Sequence, residues 1–175
     1  MKRLSFSLVL IFMAVGERLW WDLGPNVELV MTAAVLASLY LGRRWGLAVA
    51  LMSLAISDLV LGNSLIMIFT WSAFALIALG GAWAKRRPLR AGVYGLASAM
   101  WFYFYTNFGV WLIGGLYPHT LPGLIRSYVM GLPFLRLHAV TSVLFLTASV
   151  SLIEILIAFK TKRGIRFDSG AVPQL

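Results

Sequence analysis

Long apolar runs dominate the chain, broken at short intervals by polar clusters or by glycine and proline. The runs are too long and too uniformly apolar for half-buried strands. In lipid an open segment must satisfy its own backbone, which makes such runs helices. The pattern predicts six of them, at about Leu4 to Trp21, Val27 to Leu41, Trp45 to Leu61, Leu65 to Ala84, Ala91 to Leu116 and Leu137 to Phe159. The breaker Gly24-Pro25-Asn26 separates the first two, and the second and third are short for a full span. A spanning helix takes roughly 20 residues, so six spans occupy most of residues 1–175 as a single transmembrane domain. The expected fold is therefore an all-α, six-transmembrane-helix bundle.

The N-terminus carries Lys2-Arg3, an apolar run and the small residues Ala14-Val15-Gly16, a pattern shared with secretory leaders. Apolar character resumes at Leu19-Trp20-Trp21, so the segment is read as a signal-anchor helix. The longest connection is Tyr117 to Arg136. Within it Thr120 is placed to cap a helix with Pro122 in its first turn. Leu121, Leu124, Ile125, Tyr128 and Val129 share one face at helical spacing. This predicts a short interfacial helix ending near Gly131 and Pro133, either a lid or a plain cover over the bundle.

Composition supports the membrane reading. Of 175 residues, 61% are hydrophobic and 12% charged, whereas a soluble domain is about half apolar and a quarter charged. Mean hydropathy is +0.87. The net charge of +9 does not point to nucleic acid, because no basic stretch lies on a soluble element. Lys2, Arg3, Arg43, Arg44, Lys85, Arg86, Arg87, Arg90, Lys160, Lys162, Arg163 and Arg166 fall on one side of the predicted spans; only Arg18, Arg126 and Arg136 fall on the other. The positive-inside rule then places both termini in the cytoplasm of a multi-pass cell-membrane protein. An even number of spans agrees.

The outer side holds a different chemistry: Glu17, Asp22, Asn26, Glu28, Asp58, Asn63, Asn107, His119, Arg126, Arg136 and His138. An ionised carboxylate at membrane depth marks a site or a partner. Asp58 is thus either a ligand group for a cationic or hydrogen-bonding solute or one half of a pair with Arg126 or Arg136. Asn107 lies in the aromatic run Trp101 to Trp111, of which Tyr105, Phe108 and Trp111 are assigned inward; such rings stack on a flat ligand or form belt and core. His119 and His138, with Asp58 and Glu28, are a transition-metal set only if the fold gathers them; no resident metal or cofactor is expected. Glu154 either pairs with Lys85 or Arg86 or meets a partner. The chain lacks cysteine, a Walker loop, His-Glu-x-x-His and Gly-x-Ser-x-Gly, so an enzyme is not expected. A solute site is expected from Asp58, Asn63, Asn107, Trp111, Tyr117, His119 and Arg126. On helix 2, Ala33, Ala37 and Gly42 form a small-residue stripe that allows close approach of a partner helix.

Two segments carry a resemblance. One is Tyr40-Leu-Gly-Arg-Arg-Trp-Gly46 followed by Ser57-Asp-Leu-Val-Leu-Gly62. The other is Thr106-Asn-Phe-Gly-Val-Trp-Leu-Ile-Gly-Gly-Leu-Tyr-Pro-His-Thr120, followed by Leu132-Pro133-Phe134 and Arg136. Over roughly Val27 to Phe159 the chain resembles an uncharacterised family of small prokaryotic membrane proteins. That family is itself similar to the substrate-binding S-components of energy-coupling factor (ECF) transporters. The resemblance implies six helices with both termini inside, a solute captured at the outer face under the loops, and docking onto a membrane scaffold driven by two cytoplasmic ATPases. Helix 1 lacks the Ala-x-x-x-Ala docking motif of S-components, and Ala33 and Ala37 supply that spacing on helix 2. The alternative role is an accessory subunit of a larger membrane complex with no solute of its own. Lipid contacts are expected in either case, nucleic acid in neither.

Overall fold

The computed structural model describes residues 2–21 and 27–162. The Gly24-Pro25-Asn26 breaker, Asp22, Arg163 and Arg166 lie outside the described residues. Six helices follow in order: α1 (Lys2–Gly16), α2 (Leu29–Leu41), α3 (Arg43–Leu61), α4 (Met67–Gly80), α5 (Pro88–Ile113) and α6 (Leu121–Lys162). A π-helical turn, Glu17–Trp21, extends α1, and a 3-10 turn, Gly81–Ala84, extends α4. Among the described residues there is no strand. Among the described residues, four segments are long and apolar enough to cross a bilayer: Arg3–Trp21, Arg43–Leu61, Met67–Ala84 and Leu121–Lys162. With so much apolar surface turned outward, including Leu8, Phe12, Leu59, Val60, Leu144 and Phe159, this is an all-α membrane protein. α5 is long, but tyrosine, asparagine, serine and glycine dilute its apolar character.

α2 is the axis of the bundle. Every residue from Val30 to Ser38 is buried, and α1, α3, α4 and α6 all pack against it. At 13 residues it is about 20 Å long, short of the roughly 30 Å hydrocarbon layer. A helix surrounded by protein need not match the bilayer. Gly42, at φ +106°, turns α2 into α3 without an intervening loop. Four residues later, a Cβ added to Gly46 would lie 2.7 Å from the Ser38 Cβ and 2.8 Å from the Ala34 carbonyl oxygen. The two helices therefore touch backbone to backbone. The core that results joins Leu10 and Ala14, Met31 to Ala37, Val49 and Leu54, Phe74 and Ile77, and Leu146 and Val150.

This arrangement corrects the reading of the small-residue stripe as a partner surface. Ala33 is 3% exposed and Ala37 is fully buried. Their side of α2 packs within the chain, and only Gly42 of the three is exposed.

A second correction concerns the Tyr117–Arg136 connection. The predicted short helix is the beginning of a continuous 42-residue α6, about 63 Å long. Thr120 caps it as expected, its hydroxyl accepting from the Gly123 N–H at 3.3 Å. Pro133 lies inside the helix and removes one backbone donor. α5 braces this stretch from alongside. The Tyr103 hydroxyl donates to the Tyr128 carbonyl at 2.6 Å, and the Ser127 hydroxyl donates to the Asn107 carbonyl at 2.9 Å. Gly123, Ser127 and Gly131 are buried, whereas Leu121, Ile125 and Val129 are exposed. The apolar face thus points away from the bundle, and no separate lid exists in this segment.

At the basic end, Glu154 does not meet Arg86 directly. It accepts a 2.8 Å hydrogen bond from the Tyr40 hydroxyl, and the Arg86 guanidinium sits 5.0 Å from the centroid of the Tyr40 ring.

Candidate functional site

Asp58 occupies the last turn of α3, at the end of the bundle away from the arginines that open that helix. Gly62, at φ +78°, stops α3 there, its N–H bonding the Asp58 carbonyl at 3.0 Å. The chain folds back so that Asn63 Nδ2 donates to Asp58 Oδ2 at 2.8 Å. From α4, Trp71 Nε1 donates to the same oxygen at 2.7 Å. The other oxygen, Oδ1, receives Arg18 from α1's π turn at 2.8 Å. π turns are rare and concentrate at functional sites; this one carries both Glu17 and Arg18. The Arg18 and Asp58 side chains are only 20% and 11% exposed. A pair so shielded must be met by several donors to offset its desolvation, and Asp58 has three.

Beside this hub lies a cavity of about 270 Å³, lined by Arg18, Glu28, Asp58, Asn63, Ser64 and Thr70, with Leu54, Met67 and Phe74 as its apolar wall. Two buried polar atoms at its edge, Glu28 Oε2 and Arg18 Nε, have no hydrogen-bond partner among the described residues. Buried polar atoms are ordinarily satisfied, so each unpaired one calls for an explanation. Glu17, the third carboxylate here, accepts from the Leu29 N–H at 3.3 Å and holds the first turn of α2. Of the charged side chains that line the cavity, two are carboxylates, Glu28 and Asp58, and one is the Arg18 guanidinium. Glu28 lies in the connection ahead of α2, outside the helices. Burial there pushes its carboxyl up to about 7, against the opposing pull of Arg18 and with help from Glu17 and Asp58.

Of the residues singled out in the sequence, Asp58 and Asn63 come together here. Asn107 lines a different cavity, between α5 and α6. The rings of Phe74 and Phe102, 4.8 Å apart, stand between the two spaces. Trp111 and His119 meet edge to face at 5.7 Å near the α5–α6 turn, where Trp111 Nε1 donates to the Pro118 carbonyl at 3.0 Å. Tyr117 lies in that same turn, and Arg126 is exposed on α6. Asp58, Asn107 and His119 therefore do not share one cavity. The pairing of Asp58 with Arg126 or Arg136 is replaced by Arg18. Among the described residues, no three histidine, aspartate or glutamate side chains gather to hold a metal, which separates the His119, His138, Asp58 and Glu28 set.

The sequence reading missed Arg18, Trp71 and Thr70 as members of the site, and treated Glu28 only as a metal candidate. Arg18 had one usable signal, a cation on the side otherwise poor in them. Trp71 had none, since nothing local distinguishes it from the other interfacial tryptophans.

Residues 1–163 match the model of a family of unknown function, DUF6580. The chain belongs to this family. No curated protein matches it, and no solved structure does. Membership of DUF6580 covers every residue of the Arg18–Asp58 site and assigns none of them a role.

Proposed function

We propose that the protein is a substrate-binding membrane subunit, similar to ECF S-components, that captures a small cationic solute at the outer face for uptake. The observation that carries this reading is the cavity beside Asp58, where an unpaired Glu28 oxygen and an unpaired Arg18 N–H flank a carboxylate held by three donors. Asp58 is already satisfied and acts as the organiser. Glu28 takes the ligand's positive group, Arg18 Nε donates to an acceptor on it, and Phe74 and Leu54 cover its apolar side. The excess of carboxylates over guanidinium favours a cation.

In this reading six segments span the cell membrane with both termini cytoplasmic, as the one-sided distribution of basic residues requires. With no ATP-binding loop in the sequence, concentration of the solute depends on other membrane subunits, a scaffold and ATPases of the ECF kind. The buried Ala33 and Ala37 leave docking to the lipid-facing sides of α1, α5 and α6. The test is native mass spectrometry of the gently purified protein. A retained small molecule, with or without extra subunits, supports the proposal. Retained subunits and no solute, from protein that also fails to take up cations, would favour the accessory-subunit role.

A further inference from the structure

The second cavity is independent of the first. It encloses about 240 Å³ between α5 and α6, beside Pro133. Its walls are the rings of Phe102, Tyr103 and Phe134. His138, 4% exposed, lines it with its ring 5.2 Å from that of Phe102. His138 Nε2 is buried with no hydrogen-bond partner among the described residues. Of the other polar groups, the Tyr103 hydroxyl donates to the Tyr128 carbonyl, the Thr106 hydroxyl donates to the Phe102 carbonyl, and Asn107 Nδ2 donates one of its two hydrogens to the Tyr103 carbonyl. What remains is the unpartnered His138 Nε2 on α6 and, on α5, the Asn107 amide with its oxygen and its second N–H.

We propose that this cavity binds a membrane-borne aromatic alcohol, the class to which quinol head groups belong. A hydroxyl is the smallest group that both accepts from an imidazole N–H and donates to an amide oxygen. A hydrocarbon would leave these groups unpaired, and a carbonyl, which cannot donate, would leave the amide oxygen unpaired. The three rings offer faces for a flat ligand. The volume far exceeds one water's share of about 30 Å³, and suits one or two fused rings rather than a larger molecule. Phe134 is 52% exposed on the outward side of α6, so the ligand enters from the lipid, with any tail remaining there.

The test uses the full-length protein in lipid nanodiscs with histidine labelled with ¹⁵N. There are only two histidines, and His119→Gln on the exposed turn assigns the spectrum. Titration with 1-naphthol is expected to shift the His138 ring nitrogens and leave His119 in place, while naphthalene leaves both in place. His138→Phe, which keeps the ring, is expected to bind naphthol about tenfold more weakly, the worth of one hydrogen bond. Unmoved His138 signals at saturating naphthol, or equal responses to naphthol and naphthalene, would overturn the proposal. Because the NMR readout uses the unaltered site, it decides the matter even if His138→Phe fails to fold.

Discussion

Arg18 and Asp58 are 40 residues apart in sequence and meet at 2.8 Å inside the bundle. This one contact ties the π turn after α1 to the end of α3. Removing either partner leaves the other's charge unpaired on a side chain that is 20% exposed or less. Asp58→Leu is expected to lower stability by about 2–3 kcal/mol. Arg18→Met with Asp58→Leu should be less destabilised than the sum of the single changes. Thermal unfolding of the four proteins in one detergent checks this. Strictly additive losses would mean that the two side chains do not depend on each other.

The close approach of α2 and α3 gives a second expectation. Gly46→Ala forces a new carbon against Ser38 and the Ala34 backbone and should cost about 1–3 kcal/mol. Ala37→Leu, at a fully buried position, should be at least as damaging. Ala48→Leu, exposed one turn from the core, is the control and should be nearly neutral. If Ala37→Leu left the melting temperature unchanged, the stripe would not be packed inside the chain.

Glu28 predicts a pH dependence. Its carboxyl is raised to about 7 from an ordinary 4.5, so the folded state resists its ionisation. The stability it contributes is present at low pH and is lost as pH rises toward and through 7. Glu17, Asp58 and Arg18 are the charged groups that face it. Between about pH 4.5 and 7 the native protein should lose melting temperature relative to Glu28→Gln. Parallel curves for the two proteins would place Glu28 in an ordinary solvated setting.

Orientation is open to a direct chemical test, since the chain has no native cysteine. His119→Cys on the α5–α6 turn and Thr161→Cys at the end of α6 are both exposed positions. An impermeant maleimide applied to intact cells should label the first and spare the second. The reverse pattern would invert the topology.

The sequence was most legible where physics is local. Lipid leaves a helix as the only economical form for runs such as Leu47 to Leu61, and Thr120 announced its own cap. It misled at Pro133, where a local rule says a helix ends. α6 continues past it instead, braced by the bonds from Tyr103 of α5 to Tyr128 and from Ser127 to Asn107 of α5. The alanine stripe likewise gave the right physics, close helix approach, with the wrong partner, because spacing alone does not say which helix will arrive. Asp58 could be named as important from its cost in lipid, but Arg18 and Trp71 reach it from 40 and 13 residues away. Nothing in the local pattern encodes such a meeting.

The proposed role of the cavity beside Asp58 is to take a small cation through Glu28. It is tested most directly by measuring the melting temperature of the purified protein against a panel of small organic cations, with neutral and anionic analogues of matched size. At least one cation is expected to raise the melting temperature, its neutral analogue far less, and the increase is expected to disappear in Glu28→Gln. A response confined to neutral or anionic compounds, or a cation response that survives intact in Glu28→Gln, would contradict it.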